Sequence, residues 1–294
     1  LFGRVDSKFI YKELLIGNEN IIVEGDISDF PYDVTITGSK IQDEREALNN
    51  YTDSFYKKRD SLIILLSQLD KNGFYKAYRE TWEENKILED TALSLRIQYM
   101  KSYVNTYAGL IDLIDLMDFL AKDTVQMLYD QLLDELKESK YGMKVKIFLN
   151  NKVVELADKF YDFKAINIYG YTVLLSDLMD KYTLLYFTES HCGPCRMCYR
   201  DLKRMDQEIR DSVKVILFYV DGDKNDWLNS IKNDSIPWIS LWDGKASFSE
   251  TIIKYGIDSY PEFFLINSEG IIIDRWGGWR EGCFEEKLGR FMVN

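Results

Sequence analysis

Tyr186-Phe187-Thr188-Glu189-Ser190-His191-Cys192-Gly193-Pro194-Cys195-Arg196-Met197-Cys198 is the stretch on which the reading of this chain turns. It sets a Cys-Gly-Pro-Cys motif directly after an apolar run, Tyr182 to Thr188, that reads as a buried strand, and at the head of a helical pattern from about Arg196 to Ile209. A thiol at a helix N-terminus faces unpaired backbone N–H groups and the positive end of the macrodipole, and both stabilise the thiolate. Cys192, the outer sulfur, is therefore the expected nucleophile. Pro194 falls in the first helical turn, where a missing N–H costs nothing, and Cys195 follows closely enough to resolve a mixed disulfide. A Cys pair at this spacing could also be half of a zinc site, or with Cys198 and Cys283 an iron-sulfur site, or a structural staple. The chain has one His and four Cys, so a zinc site lacks its second half, and the strand-then-helix context favours redox use without a metal or cofactor.

Outward from the motif, short β-rich runs alternate with helical ones. Val213 to Val220, Trp238 to Trp242, Phe263 to Ile266 and Ile271 to Asp274 read as further strands; Asp226 to Lys232, Phe248 to Tyr255 and Phe284 to Met292 read as helices. Such alternation implies parallel crossovers and a sheet covered on both faces, an α/β domain over residues 157–294. Residues 1–156 read differently. Strand-like text from Phe9 to Gly38, broken at Gly17-Asn18, Gly25 and Pro31, predicts a small β-sheet. Helical spacing follows in Leu48, Tyr51, Phe55, Leu62, Leu66 and Leu69, then in Leu110, Leu113, Ile114 and Met117, then in Val125, Leu128, Leu132 and Leu136. We read these stripes as core. Asn72-Gly73 is a break, Gly109 a break or an internal weak point, and Gly142 a separator of the last two helices.

Composition narrows the function classes. With 294 residues, 46% hydrophobic and 29% charged, the chain can bury two cores. The net charge of -12 is shared by both parts, so neither offers the clustered cations that binding nucleic acid through its phosphates requires. The longest aliphatic stretch, Leu62 to Leu66, is far short of the roughly 20 apolar residues of a spanning helix. The chain starts without Met and without a signal-peptide pattern, so a processed product whose leader has been removed is expected.

The segment around Cys192 resembles the active site of the thioredoxin superfamily, and Cys-Gly-Pro-Cys is thioredoxin's own motif. Tyr260-Pro261, just before the strand at Phe263, stands where that superfamily carries its cis-proline; the resemblance implies that Pro261 packs on the disulfide and that the backbone of Tyr260 binds the substrate chain. Cys195 and Pro261 are 66 positions apart, room for an extra helix and strand beyond thioredoxin proper. The runs Tyr255-Gly256-Ile257 and Phe264 to Ile271, with Phe163, Gly170, Leu175 to Leu178 and Lys181, are similar to the TlpA/ResA-like thiol-disulfide oxidoreductases of bacterial envelopes. Residues 1–156 more loosely resemble the sheet-then-helices region that precedes this domain in many Bacteroidetes envelope proteins.

Departures from the family bear on mechanism. Tyr186 stands where thioredoxin has a buried acid, and Cys198 where the ResA-like branch has a glutamate. Glu189 and Glu262 are the nearby acids in sequence that could serve instead if partly desolvated. His191 replaces a tryptophan; it could favour the thiolate of Cys192 or simply shape the rim. Cys198 could relay a disulfide or sit buried and free, and Cys283 opens the last helix. Trp276 to Trp279 could form a docking edge or, the favoured reading, a turn. The expected function is thus thiol-disulfide exchange on a disulfide-bearing protein substrate in the periplasm or cell envelope, recycled by a membrane or periplasmic thiol reductant. The competing reading is a redox-inactive or isomerase-like binding module that uses the fold as an interaction surface.

Overall fold

The computed structural model of the chain describes residues 2–289 except 6–7, 13, 16, 18, 29, 31–33 and 72. It divides into two compact units, Leu1–Lys146 and Ile147–Asn294. The proposed breaks at Asn18, Pro31 and Asn72 and the last residues of the expected final helix lie outside the described residues.

The first unit opens with two antiparallel strand pairs, β1 (Phe2–Val5) with β2 (Lys8–Tyr11) and β3 (Ile22–Gly25) with β4 (Val34–Thr37), so the expected small sheet is two separate pairs. Helices follow: α1 (Lys40–Lys71), α2 (Tyr75–Tyr103), α3 (Tyr107–Leu116), α4 (Lys122–Asp130), α5 (Asp134–Glu138) and α6 (Lys140–Asn150). The stripe Leu110, Leu113, Met117, Val125, Leu128, Leu132 and Leu136 is buried as its period requires. Leu62, Leu66 and Leu69 are a correction, because α1 leaves them only half-buried and exposes Ile63, Ile64 and Leu65 beside them. Gly109 and Gly142 are not breaks: both lie inside helices, where a Cβ would collide with the carbonyl of Tyr103 or of Leu136 from the preceding element. Arg45 and Arg96 converge on the buried Asp112, with Arg96 2.6 Å from it and 2.8 Å from Asp115. Among the described residues no helix is long and apolar enough to cross a membrane.

The second unit is built on one sheet. Its elements are β5 (Lys164–Asn167), β6 (Thr172–Leu174), β7 (Tyr182–Thr188), α7 (Gly193–Ile209), β8 (Val213–Tyr219), α8 (Lys224–Asn233), β9 (Ile239–Trp242), α9 (Glu250–Tyr255), β10 (Glu262–Asn267), β11 (Ile272–Gly277) and α10 (Cys283–Leu288). The strand order is β11-β10-β7-β8-β9-β5-β6. β7, β8 and β9 are parallel, as helices between them demand, and β10 and β11 add antiparallel on the other side of β7. The hairpin β5–β6 is an addition to the sequence reading, which took that segment only as a lead-in. β11 also runs past Asp274 through Gly277, so the expected turn starts only at Gly278.

Successive side chains of a strand point to opposite faces, and a strand buried on both reads as a continuous apolar run. β7 shows this directly. Leu184 and Tyr186 join one core with Leu202 of α7, Trp227 of α8 and Phe284 of α10, while Leu185 and Phe187 join the other with Phe163 and with Ile252 and Tyr255 of α9. β8 and β10 alternate in the same way. The sheet is therefore covered on both faces, and its central strand is held rigidly just before the Cys-Gly-Pro-Cys motif. Truncating a fully buried leucine loses its transfer free energy and leaves a cavity. Leu184→Ala is expected to cost about 2–5 kcal/mol, read from the urea midpoint followed by tryptophan fluorescence.

Candidate active site

The chain leaves β7 at Thr188, turns over Glu189 to His191, and enters α7 with Cys192 as its N-cap. The Cys192 sulfur accepts the backbone N–H of Cys195 at 3.1 Å, so an orphan donor of the first helical turn is aimed at the sulfur. Pro194 occupies that same turn. Cys192 and Cys195 form a disulfide with their Cα atoms 5.2 Å apart. The two sulfurs differ in surroundings. Cys192 is half-buried, flanked by exposed His191, Gly193 and Pro194; Cys195 is sealed in the core with α7's apolar face.

The Tyr260-Pro261 peptide is cis, and the Tyr260 carbonyl lies 3.8 Å from the Cys192 sulfur. The structure thus brings the motif and the distant X-Pro pair together across 68 positions of chain. Burial, reinforced by the nearby charges of Glu189, Asp221 and Asp258, pushes the Tyr260 phenol up to about 12. Gly278, just beyond β11, donates its N–H to the Pro261 carbonyl at 2.8 Å, and Trp279 packs on the same core while its Nε1 donates to Asp201 of α7 at 2.7 Å. The Trp276–Trp279 segment therefore packs against the core that contains Cys195 and is tied to Pro261.

The two candidate acids separate. Glu189 sits in the turn itself, half-buried, and its carbonyl accepts the Cys192 N–H at 3.3 Å. Glu262 alternates with Phe263, which lies in the core that contains Cys195, so its side chain leaves β10 on the opposite face. There it binds Arg275 Nε at 2.7 Å, and that guanidinium lies 4.9 Å over the Phe264 ring. Glu262 is not brought to the sulfurs.

Beneath Cys195 the polar groups are phenols. Tyr186 donates its hydroxyl to the Cys195 carbonyl at 3.1 Å, and its ring lies 5.5 Å from that of Tyr199. Tyr199 shares a hydrogen bond with Thr188 and donates to Tyr219 at 3.3 Å. Desolvation holds the Tyr186 and Tyr199 phenols far above their ordinary value. Cys198, one turn after Cys195, is buried and free, and burial pushes its thiol up to about 12. Cys283 is likewise buried and free at the head of α10, its thiol raised first by burial. Sequence reasoning recognised Tyr186 only as a missing acid; Thr188, Tyr199 and Tyr219 escaped it. The available signal was parity, since Tyr186 and Thr188 share one face of β7, the face under α7. Ser190 and Asp221 were missed too: both Asp221 oxygens accept the Ser190 N–H at 3.2 Å, which ties the turn before Cys192 to the end of β8.

Residues 180–272 match a family model described as thioredoxin-like. The tryparedoxin of Trypanosoma brucei brucei is 30% identical over 105 residues, a match covering 34% of this chain and 72% of that protein. Among solved structures, the thioredoxin domain of a thiol-disulfide oxidoreductase from Bacteroides vulgatus is 21% identical over 48% of this chain and 99% of its own, at a TM-score of 0.44. A thiol-disulfide oxidoreductase from Bacteroides fragilis is 25% identical over 46% of this chain and 100% of its own, at 0.41. A thiol:disulfide interchange protein DsbE from Chlorobium tepidum is 25% identical over 47% and 94%, at 0.42.

The contrast between the thiols can be read by labelling. In the reduced, folded protein at about pH 8, iodoacetamide is expected to modify Cys192 and to spare Cys198, whose raised thiol stays protonated and enclosed. Peptide mapping by mass spectrometry checks it, and equal labelling of the two would contradict the environments described.

Proposed function

The chain belongs to the thioredoxin-like family, and from that membership we propose a thiol-disulfide oxidoreductase in which Cys192 attacks a substrate disulfide and Cys195 releases the reduced product. The observation that carries this reading is the pairing of two sulfurs with unequal access at the start of a helix, with the outer one beside the Tyr260 carbonyl. A thiolate formed at Cys192 meets the Cys195 N–H and the positive end of α7, both of which favour the charge. An extended substrate segment laid along Tyr260-Pro261 would present its disulfide to that sulfur, with Tyr260 and Pro261 as the binding residues. Gly193 leaves the approach open, since nothing lies within 4 Å of where a Cβ would be. His191 and Glu189 shape the rim of the site and modulate Cys192.

The cycle balances in two steps. Cys192 thiolate attacks one substrate sulfur and the other leaves as a thiol; Cys195 then attacks Cys192, releasing the second substrate thiol and leaving the protein oxidised by two electrons. A thiol reductant of the membrane or periplasm restores the dithiol. We infer disulfide-bearing envelope proteins as substrates from the TlpA/ResA-like runs of the sequence, and residues 157–294 as the catalytic domain, with residues 1–156 a separate sheet-and-helix domain.

Cys192→Ala is expected to abolish reduction of insulin by the full chain with dithiothreitol as reductant, and retained turnover would reject the assignment. The other reading, a binding module with a passive bridge, draws on the phenols that stand where an acid would serve Cys195. The reduction potential separates the two: exchange catalysts lie between about -120 and -270 mV, and a value below about -300 mV would favour a passive disulfide.

A further inference from the structure

We propose, resting on the exchange role just described, that breakdown of the mixed disulfide by Cys195, rather than its formation at Cys192, limits turnover, because a cage of buried neutral groups headed by Tyr186 surrounds the resolving sulfur. Cys195 is 0% exposed. On the strand side it faces Tyr186, whose hydroxyl is committed to the Cys195 carbonyl. On its own helix it is followed by Cys198 and Tyr199, both buried. The Tyr199 hydroxyl is bonded to Thr188 and Tyr219, Tyr219 to Ser230 at 3.4 Å, and Ser230 to Asp234 at 3.3 Å. Three hydroxyl groups, those of Tyr199, Tyr219 and Ser230, thus stand between Thr188 and the first carboxylate of this network, Asp234, which pairs with Arg196 at 3.6 Å.

Most other charged groups around the site have partners of their own, and the exposed His191 stands beside the outer sulfur. On α7, Asp201 binds Trp279 at 2.7 Å and Arg204 at 3.2 Å. After β8, Asp221 binds the Ser190 N–H. On β10, Glu262 is paired with Arg275 on the far face. Glu189 and Asp258 bear on the Tyr260 phenol, beside the outer sulfur. On α10, Lys287 is bound to Asp274 and Arg280, before that helix, to Glu286. The phenols of Tyr186 and Tyr199 and the thiol of Cys198 hold their protons through the neutral range, so each is a donor and none an acceptor for the proton of Cys195.

In the mixed disulfide Cys192 is bonded to the substrate sulfur and Cys195 is a thiol. Cys195 must surrender its proton to solvent before its thiolate attacks the Cys192 sulfur; the bond from Cys192 to the substrate then breaks, and the substrate thiolate takes a proton from water. The protein is oxidised and the substrate sulfur reduced. Burial away from a counter-charge disfavours that thiolate, so its fraction grows with pH. Attack meets no such obstacle, because Cys192 is half-buried and already receives a backbone N–H. Tyr186 is a positioning residue in this scheme: it fixes the Cys195 backbone and keeps charge out.

The test uses the reduced full chain and one equivalent of 5,5′-dithiobis(2-nitrobenzoate), which releases one coloured thiolate on attack and a second on resolution, followed by stopped flow from about pH 6 to about pH 9. The first phase is expected to be the faster and to level off, while the second rises about tenfold per pH unit, as loss of one proton requires. Tyr186→Asp sets a carboxylate against the cage and is expected to speed the second phase at least about tenfold near pH 7 while flattening its slope. Tyr186→Phe keeps the cage neutral and the slope with it. Should Tyr186→Asp not fold, the wild-type record still decides: a second phase that outruns the first, or is flat with pH, overturns the proposal. A first phase that survives Cys192→Ala would instead sink the exchange role of Cys192, a distinct failure.

Discussion

The second unit depends on one junction, the passage from β7 into α7. β7 is buried on both faces, so its direction is fixed by two cores at once, and only four positions later the helix begins with a sulfur in its capping place. A free helix terminus exposes donors that seek a partner. Here the partner is Cys192, held at 3.1 Å from the Cys195 N–H. The same constraint orders the pair, since a helix that starts at Gly193 turns Cys195 inward and leaves Cys192 at the rim. Asp221, bound to the Ser190 N–H, fastens the turn to the neighbouring strand, and Arg196 of α7 reaches back to the Ser190 carbonyl at 3.1 Å.

What surrounds the inner sulfur is unusual in composition rather than in geometry. Burying a hydroxyl costs free energy unless it is hydrogen-bonded, and the row Tyr186, Thr188, Tyr199 and Tyr219 meets that condition internally. Such a network is costly to break and stays neutral, because ionising any member in this surrounding would leave a buried charge. It offers Cys195 firm placement and no base. The outer sulfur has the opposite surroundings, with a polar turn, an exposed imidazole and a backbone carbonyl. One motif of four residues thus presents two sulfurs of opposed character, set by which side of the first helical turn each occupies.

Much of this was legible in particular residues. Tyr182 to Thr188 marked the central strand to the residue, because a run of seven apolar or β-prone residues buried on both faces has no polar interruption to blur its ends. Cys283 marked the head of the last helix, and Gly73 the gap between the first two long ones. Less legible were β5 and β6, short half-buried strands of which β5 pairs with β9 and β6 only with β5, so that pairing marks them more than their own pattern does. Gly142 misled for a related reason, and of the two readings of Gly109 only the one inside a helix holds: glycine serves at both to let a carbonyl of the preceding element approach, which a sequence cannot distinguish from a chain break. Leu62, Leu66 and Leu69 had the period of a buried stripe, yet period alone does not say how much partner surface a long helix finds.

By itself the sequence determined the chemistry on offer and its local frame, because a strand, a turn and a helix N-terminus in direct succession are fixed by neighbouring residues: two thiols at the start of a helix, with a proline far downstream. Only tertiary structure decided which groups meet. Glu262 is adjacent in the chain to Pro261, yet the alternation of β10 sends it to the far face and into an ion pair with Arg275. Tyr260 is distant in the chain, yet the antiparallel pairing of β10 with β7 carries its carbonyl to Cys192. Whether Cys195 would face an acid or a phenol was settled in the same way, by strand parity and helix phase acting together.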